Sequence, residues 1–183
     1  MRVFLALPLP AGAARPLSAA LSRLRAAGPG VKPVSPEALH ITLHFFGELS
    51  EDAVDEVSRA LEDPRLAGPP IRASLGGLGT FPSSGTPQVV FRRLDTGTAE
   101  VRSYRELTLG VLAPLGYRPD GRPFEAHLTL ARNRGGKVDL GEAMEAPVPD
   151  FSFEECTLFR SILDRDGAHY SVLKRIPFRE VDP

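Results

Sequence analysis

The sequence predicts an α+β fold made of a duplicated strand–helix–strand unit with approximate two-fold symmetry, and two observations carry that prediction. Two short segments, His40-Ile41-Thr42-Leu43 and His127-Leu128-Thr129-Leu130, repeat the order His, apolar, Thr, apolar. Their histidines are 87 residues apart (127 − 40), and Val90-Phe91 lies the same 87 residues after Val3-Phe4 (90 − 3). Each of these apolar runs is followed by a helix-like stretch and then by a motif segment, so one order of elements recurs. An internal two-fold is a simple way to bring two similar motifs face to face.

Arg2 to Leu7 reads as a buried strand, and Ala11 to Ala27 as an amphipathic helix with Leu17, Leu21 and Leu24 inward. Gly28-Pro29-Gly30 ends that helix. An extended piece near Val31 to Val34 leads to the turn Ser35-Pro36-Glu37 and the motif strand Leu39 to Phe46. Ser50 caps a helix from Glu51 to Leu61 that buries Val54, Val57 and Leu61. A strand from Ile71 to Leu75 should stop at the turn Gly76-Gly77-Leu78-Gly79, which lacks the pattern of a nucleoside triphosphate loop. Gln88 to Leu94 opens the second unit as a strand, followed by a helix from Ala99 to Leu115 with Val101, Leu107, Val111 and Leu112 inward. The second motif strand covers Ala126 to Arg132. Two closing strands, Phe153 to Leu163 and Ala168 to Ile176, flank Asp164-Arg165-Asp166-Gly167, a hairpin signal.

A chain of 183 residues with 42% hydrophobic residues fits one domain spanning 1–183, organised as two lobes with one motif in each. Its 22 basic and 23 acidic residues leave a net charge of −1, so the whole-molecule field does not hold long nucleic acid. Any nucleic-acid partner should be gripped locally, at its end. The single Cys156 excludes an intramolecular disulfide framework and a multi-cysteine zinc site, and reads as a core residue. Val3 to Leu9 with Ala11-Gly12-Ala13 has some features of a signal peptide. Pro8, Pro10 and the shortness of the run argue instead for a first core strand in a cytoplasmic protein. No stretch approaches the roughly 20 apolar residues of a membrane-spanning helix.

On a strand, each motif buries two aliphatics and presents a His beside a Thr hydroxyl. Taken singly, such a His is more often a structural residue than a catalyst. Two copies in equivalent places of a repeat favour function, because paired imidazoles, one neutral and one protonated, work as acid and base near neutral pH. The chain has no His-Glu-x-x-His segment and no obvious third ligand for a zinc hydrolase, and no Gly-x-Ser-x-Gly elbow for a serine esterase. No metal or cofactor is expected.

These motifs and their flanks resemble the 2H phosphoesterase superfamily and, within it, the bacterial and archaeal RNA 2′,3′-cyclic phosphodiesterases, also called 2′-5′ RNA ligases. The similarity runs from Arg2–Leu7 through Pro36–Leu43, Phe46-Gly47-Glu48 and Gly76–Pro82 to Pro123-Phe124, His127–Arg132, Leu158–Ser161 and His169-Tyr170. His44 stands where the family usually has Lys or Arg, and Ala126 where Pro is common. The resemblance implies a bilobal α+β fold, with antiparallel sheets and intertwined lobes around a central cleft. It implies metal-independent opening of cyclic phosphate ends to 2′-phosphates, with His40 as proton donor and His127 as proton acceptor. Thr42 and Thr129 can donate to the non-bridging oxygens, and reversal with a ribose 5′-hydroxyl in place of water would make a 2′-5′ linkage. Arg132 is a phosphate ligand by resemblance, yet five residues after His127 it falls on the opposite face of a regular strand. His44 and Phe46 share the catalytic face by alternation, and Ser161 and Tyr170 match polar positions on the closing strands. His169 reads as surface. The expected partners are RNA 3′ ends carrying a cyclic phosphate, including tRNA halves, for a monomer with no membrane association. Small cyclic nucleotides, an ADP-ribose cyclic phosphate, or RNA binding without turnover are the alternatives.

Overall fold

The computed structural model describes residues 1–119, 121, 123–140, 147–163 and 168–179. The elements are β1 (Arg2–Pro8), α1 (Ala11–Ala26), β2 (Val31–Pro33), β3 (His40–Glu48), α2 (Glu51–Ala60), β4 (Ile71–Phe81), β5 (Val89–Thr96), α3 (Thr98–Leu112), β6 (His127–Asn133), β7 (Phe151–Phe153), β8 (Glu155–Leu163) and β9 (Ala168–Pro177). The strands form a nine-stranded sheet in the order β7-β4-β5-β6-β3-β1-β8-β9, with β2 added on β6. Each strand pair is antiparallel.

The α+β class and the duplication are both present. β1-α1-β3 and β5-α3-β6 are the two copies, and they meet where Ile41 of β3 pairs with Leu128 of β6. These are equivalent motif positions, so an approximate two-fold axis passes between them. A later strand from each half crosses over: β4, after the first copy, pairs with β5, and β8, after the second, pairs with β1. Each copy therefore completes the sheet of the other.

One part of the repeat differs from the sequence spacing. In the ladders Pro8 pairs with His40 and Arg93 with His127, so the first strands correspond at an offset of 85 residues (93 − 8). The motif strands keep 87. A shift of two residues leaves every side chain on its original face, which is why the apolar pattern concealed it.

Val3 to Leu7 of β1 are all apolar and all buried, one set against the helices and the other beneath aromatic rings. Val3, Leu5 and Leu7 join a core with Leu17, Leu21 and Leu24 of α1, Val54 and Val57 of α2, and Val101, Val111 and Leu112 of α3. Burying one such Leu contributes about 1.5–3 kcal/mol relative to exposure. Phe4 and Ala6 turn to the opposite, open face, which carries the site. α2 begins at the expected cap, with Ser50 accepting from the Ala53 N–H at 3.3 Å. α3 begins after Gly97, whose φ of +83° and whose approach to the Arg72 carbonyl, 2.5 Å from where a Cβ would lie, both require glycine.

The expected turn at Gly76–Gly79 is instead strand. β4 runs on to Phe81, and the register jumps from Leu75↔Leu94 to Leu78↔Arg92, leaving Gly76 and Gly77 outside the ladder. Buried Arg92 supplies the missing donors, to the Gly76 carbonyl and, at 3.2 Å, to that of Leu75. The expected strand from Phe153 divides at Glu154. β7 pairs with β4 at one edge of the sheet and β8 with β1 near the other, so a single residue between them requires the sheet to curl. The Asp164–Gly167 signal lies outside the described residues, but β8 and β9 pair up to Leu163↔Ala168 on either side of it.

Candidate active site

β3 and β6 lie side by side and alternate as expected: Ile41, Leu43, Leu128 and Leu130 are buried, whereas His40, Thr42, His127 and Thr129 are half-buried on the open face. Nδ1 of His40 donates to the Ala38 carbonyl at 2.7 Å, and Nδ1 of His127 donates to the Glu125 carbonyl at 2.8 Å. A carbonyl only accepts, so each Nδ1 bears its proton and each Nε2 is left to take up or release one. The two bonds are equivalent, since each reaches the carbonyl two residues before its histidine. Among the described residues neither Thr hydroxyl has a hydrogen-bond partner.

Each imidazole rests against a stacked pair of phenylalanines. Phe4 and Phe159 stack at 5.3 Å, with Phe4 4.9 Å from the His40 ring; Phe81 and Phe91 stack at 4.3 Å, with centroids 5.2 and 5.1 Å from His127. Gly79 makes room for the second pair, because a Cβ there would lie 2.5 Å from the Phe91 ring. Tyr170 completes the His40 side with an edge contact at 5.3 Å. The His40 pKa is held down to about 4, chiefly by burial in this aromatic setting, with the Ala38 carbonyl opposing and the charges of Arg132 and His127 contributing to the fall. His40 is neutral at pH 7. Burial raises the Tyr170 phenol, keeping it a neutral hydroxyl.

Matched irregularities change where the residues beyond each motif lie. In the β1/β3 ladder Thr42 pairs with Ala6 and His44 with Leu5, so Leu43 is an extra residue; in β5/β6 Thr129 pairs with Phe91 and Ala131 with Val90, so Leu130 is extra. Such a bulge exchanges the faces of the residues after it. Arg132 therefore pairs with Val89 on the open face, and its charge acts on both His40 and Tyr170. The bend that alternation alone did not supply is this bulge.

The same device takes His44 off the expected face. It stands opposite core-facing Leu5, and its ring packs at 4.7 Å on Phe46 and 6.1 Å from Tyr117. Phe46, a second extra residue between the Val3↔Gly47 and Phe4↔Phe45 pairs, packs against the core and Tyr117. Its neighbour Phe45 takes the open face, 65% exposed and 6.0 Å from Phe4. Ser161 pairs with Arg2, at the opposite end of β1 from the Pro8 that pairs with His40, and lines a separate recess with Met1 and Glu48. His169 is exposed. Sequence reasoning missed Phe4, Phe45, Phe81, Phe91 and Phe159. An aromatic in the strand beside each motif, Phe4 and Phe91, was the available signal, but it reads equally as core.

A cavity of about 310 Å³ opens beside His40, lined also by Ser35, Glu37, Phe159, Tyr170 and Arg175. Cys156 is buried and its thiol is pushed up by that burial, so it stays protonated. Among the described residues no three His, Cys, Asp or Glu side chains converge as metal ligands, and no helix is long and apolar enough to cross a membrane.

A family model described as LigT-like phosphoesterase matches residues 7–91. An RNA 2′,3′-cyclic phosphodiesterase of Aeropyrum pernix is 33% identical over 166 residues, covering 85% of this chain and 93% of that one. A protein of the same description from Thermus thermophilus is 35% identical over 188 residues, covering 98% and 91%. A crystal structure of a Thermus thermophilus protein superposes with a TM-score of 0.78 at 35% identity, covering 98% of this chain and 99% of its own.

Proposed function

The chain belongs to the LigT-like phosphoesterase family, and from that premise we propose that it opens 2′,3′-cyclic phosphates at RNA 3′ ends by metal-independent hydrolysis, leaving a 2′-phosphate. One observation carries the reading. Two equivalent histidines, each holding Nδ1 on a carbonyl, present Nε2 on the open face beside unengaged Thr hydroxyls.

In this reaction His127 removes a proton from water as its oxygen bonds to phosphorus. The 3′ oxygen departs from phosphorus and takes a proton from His40. Thr42 and Thr129 donate to the non-bridging oxygens as charge grows on them, and the Arg132 guanidinium holds the phosphate. His40 is neutral in the free protein, so the anionic substrate supplies the counter-charge that raises its proton affinity and makes it an acid. Reversal, with a ribose 5′-hydroxyl in place of water, forms a 2′-5′ linkage. Phe45 and Tyr170 offer aromatic surfaces to the terminal nucleoside. The protein acts as a monomer in the cytoplasm, where the ends of cleaved tRNAs are one source of substrate.

The test is a short 5′-labelled RNA ending in a 2′,3′-cyclic phosphate, incubated with protein and chelator and resolved into 2′- and 3′-phosphate products. We expect 2′-phosphate. His40→Ala and His127→Ala should each lose about 10²–10⁴-fold in rate with an unchanged circular dichroism spectrum. Wild-type rates in either folded variant would refute the mechanism, and no product from RNA would redirect the search to small cyclic nucleotides.

A further inference from the structure

Two cations stand side by side on the open face. Lys32 of β2 pairs directly with Arg132 of β6, between the pairs Val31↔Asn133 and Pro33↔Ala131. Val31 and Ala131 belong to the buried core, so the intervening pair points the other way, to the face that carries His127 and Thr129. Both side chains are exposed, and among the described residues neither forms an ion pair. Like charges directly opposite on neighbouring strands destabilise a sheet, so this pair has an electrostatic cost that no acidic partner among the described residues offsets. Arg93 provides the contrast. It pairs with His127, but its guanidinium is held by the Glu125 carboxylate at 3.0 Å.

We propose that Lys32 binds the internucleotide phosphate adjacent to the reacting end, so that the protein selects oligonucleotides over cyclic mononucleotides. The inference rests on the cyclic phosphodiesterase reading and adds its substrate class. Arg132 stands on the open face opposite Val89, and in the proposed mechanism its guanidinium holds the reacting phosphate. Lys32 stands one strand further out, about 5 Å away, and its flexible stem reaches beyond that. An ammonium is a point charge that can follow a backbone of variable path, whereas Arg132 offers the planar fork suited to one fixed phosphate. A net charge of −1 makes such local contacts the source of affinity for a polyanion.

The experiment compares kcat/KM on a 2′,3′-cyclic mononucleotide and on a trinucleotide ending in the same group, for wild type, Lys32→Gln and Lys32→Arg, across a salt series. Wild type should prefer the trinucleotide. Lys32→Gln should lose about five- to tenfold on the trinucleotide, mostly in KM, and flatten the log–log salt slope by about 0.7, while mononucleotide turnover stays within about twofold. Lys32→Arg should restore the preference. The melting temperature of Lys32→Gln should equal or exceed that of wild type, because a like-charge pair is removed. Equal losses on both substrates, or no loss on the trinucleotide, would overturn the proposal while the phosphodiesterase reading stood. A wild-type protein that opens neither substrate would overturn both.

Discussion

His40 and His127 illustrate how one side chain acquires a role from a single backbone bond. With Nδ1 held by a carbonyl two residues upstream, the imidazole has one orientation and one tautomer, and Nε2 becomes the chemical end. The aromatic wall adds a second property, since a buried imidazole resists protonation. Because the His40 pKa falls from about 6.5 to about 4 on folding, the unfolded chain takes up a proton between these values that the folded one does not. Stability contributed by neutral His40 is therefore complete above pH 6.5, falls as pH drops from about 6.5 to 4, and levels off below. In denaturant melts the stability of wild type relative to His40→Asn should fall by on the order of 2 kcal/mol between about pH 7.5 and pH 4, on top of a pH-independent difference from lost ring packing.

At the scale of the element, the bulges at Leu43 and Leu130 matter as much as the motifs. They turn Arg132 and Phe45, both five residues after a motif histidine, onto the open face, and turn His44 and Phe46 away from it. Two neighbouring phenylalanines should then fail differently. Phe45→Ala should raise KM for a terminal nucleotide by about 10-fold with little change in melting temperature, since stacking on one base is worth about 1–3 kcal/mol. Phe46→Ala should lower stability by about 2–3 kcal/mol and change KM little, because its ring packs on His44, Tyr117 and the core. Calorimetry beside steady-state kinetics separates the two. The start of α3 allows another check. Gly97→Ala adds a Cβ against the Arg72 carbonyl at positive φ, and should cost more than about 1 kcal/mol in denaturant unfolding.

On the scale of the whole molecule, the two-fold arrangement sets unlike surroundings across one cleft. Both histidines rest on stacked phenylalanines, but the His40 side adds Tyr170 and exposed Phe45, whereas the cations Arg132 of β6, Arg93 of β5 and Lys32 of the adjoining β2 gather on the other side. The halves communicate through charge: Arg132, on one copy, helps to hold down the His40 pKa on the other. Arg132→Gln should move that pKa up in an NMR titration of the His40 ring. An unchanged titration would mean that the guanidinium faces elsewhere in solution.

The repeat of His-x-Thr-x at a fixed spacing, with apolar runs and helix patterns around it, was enough to determine the duplicated α+β fold, the elements that carry each motif, and the face on which each His and Thr lies. These are local consequences of period-two and period-3.6 patterning. The placement of residues beyond each motif was decided only by tertiary structure. A bulge is one unpaired residue in a ladder, visible only against the neighbouring strand, and it moved Arg132 onto the site and His44 and Phe46 off it. The two-residue shift of β5 against β1, the continuation of β4 through its glycines on the donors of Arg92, and the pairing of Lys32 with Arg132 are likewise properties of strand partners. A chain read residue by residue carries side-chain alternation but not register, because register is chosen by whichever alignment of strands buries the apolar faces together.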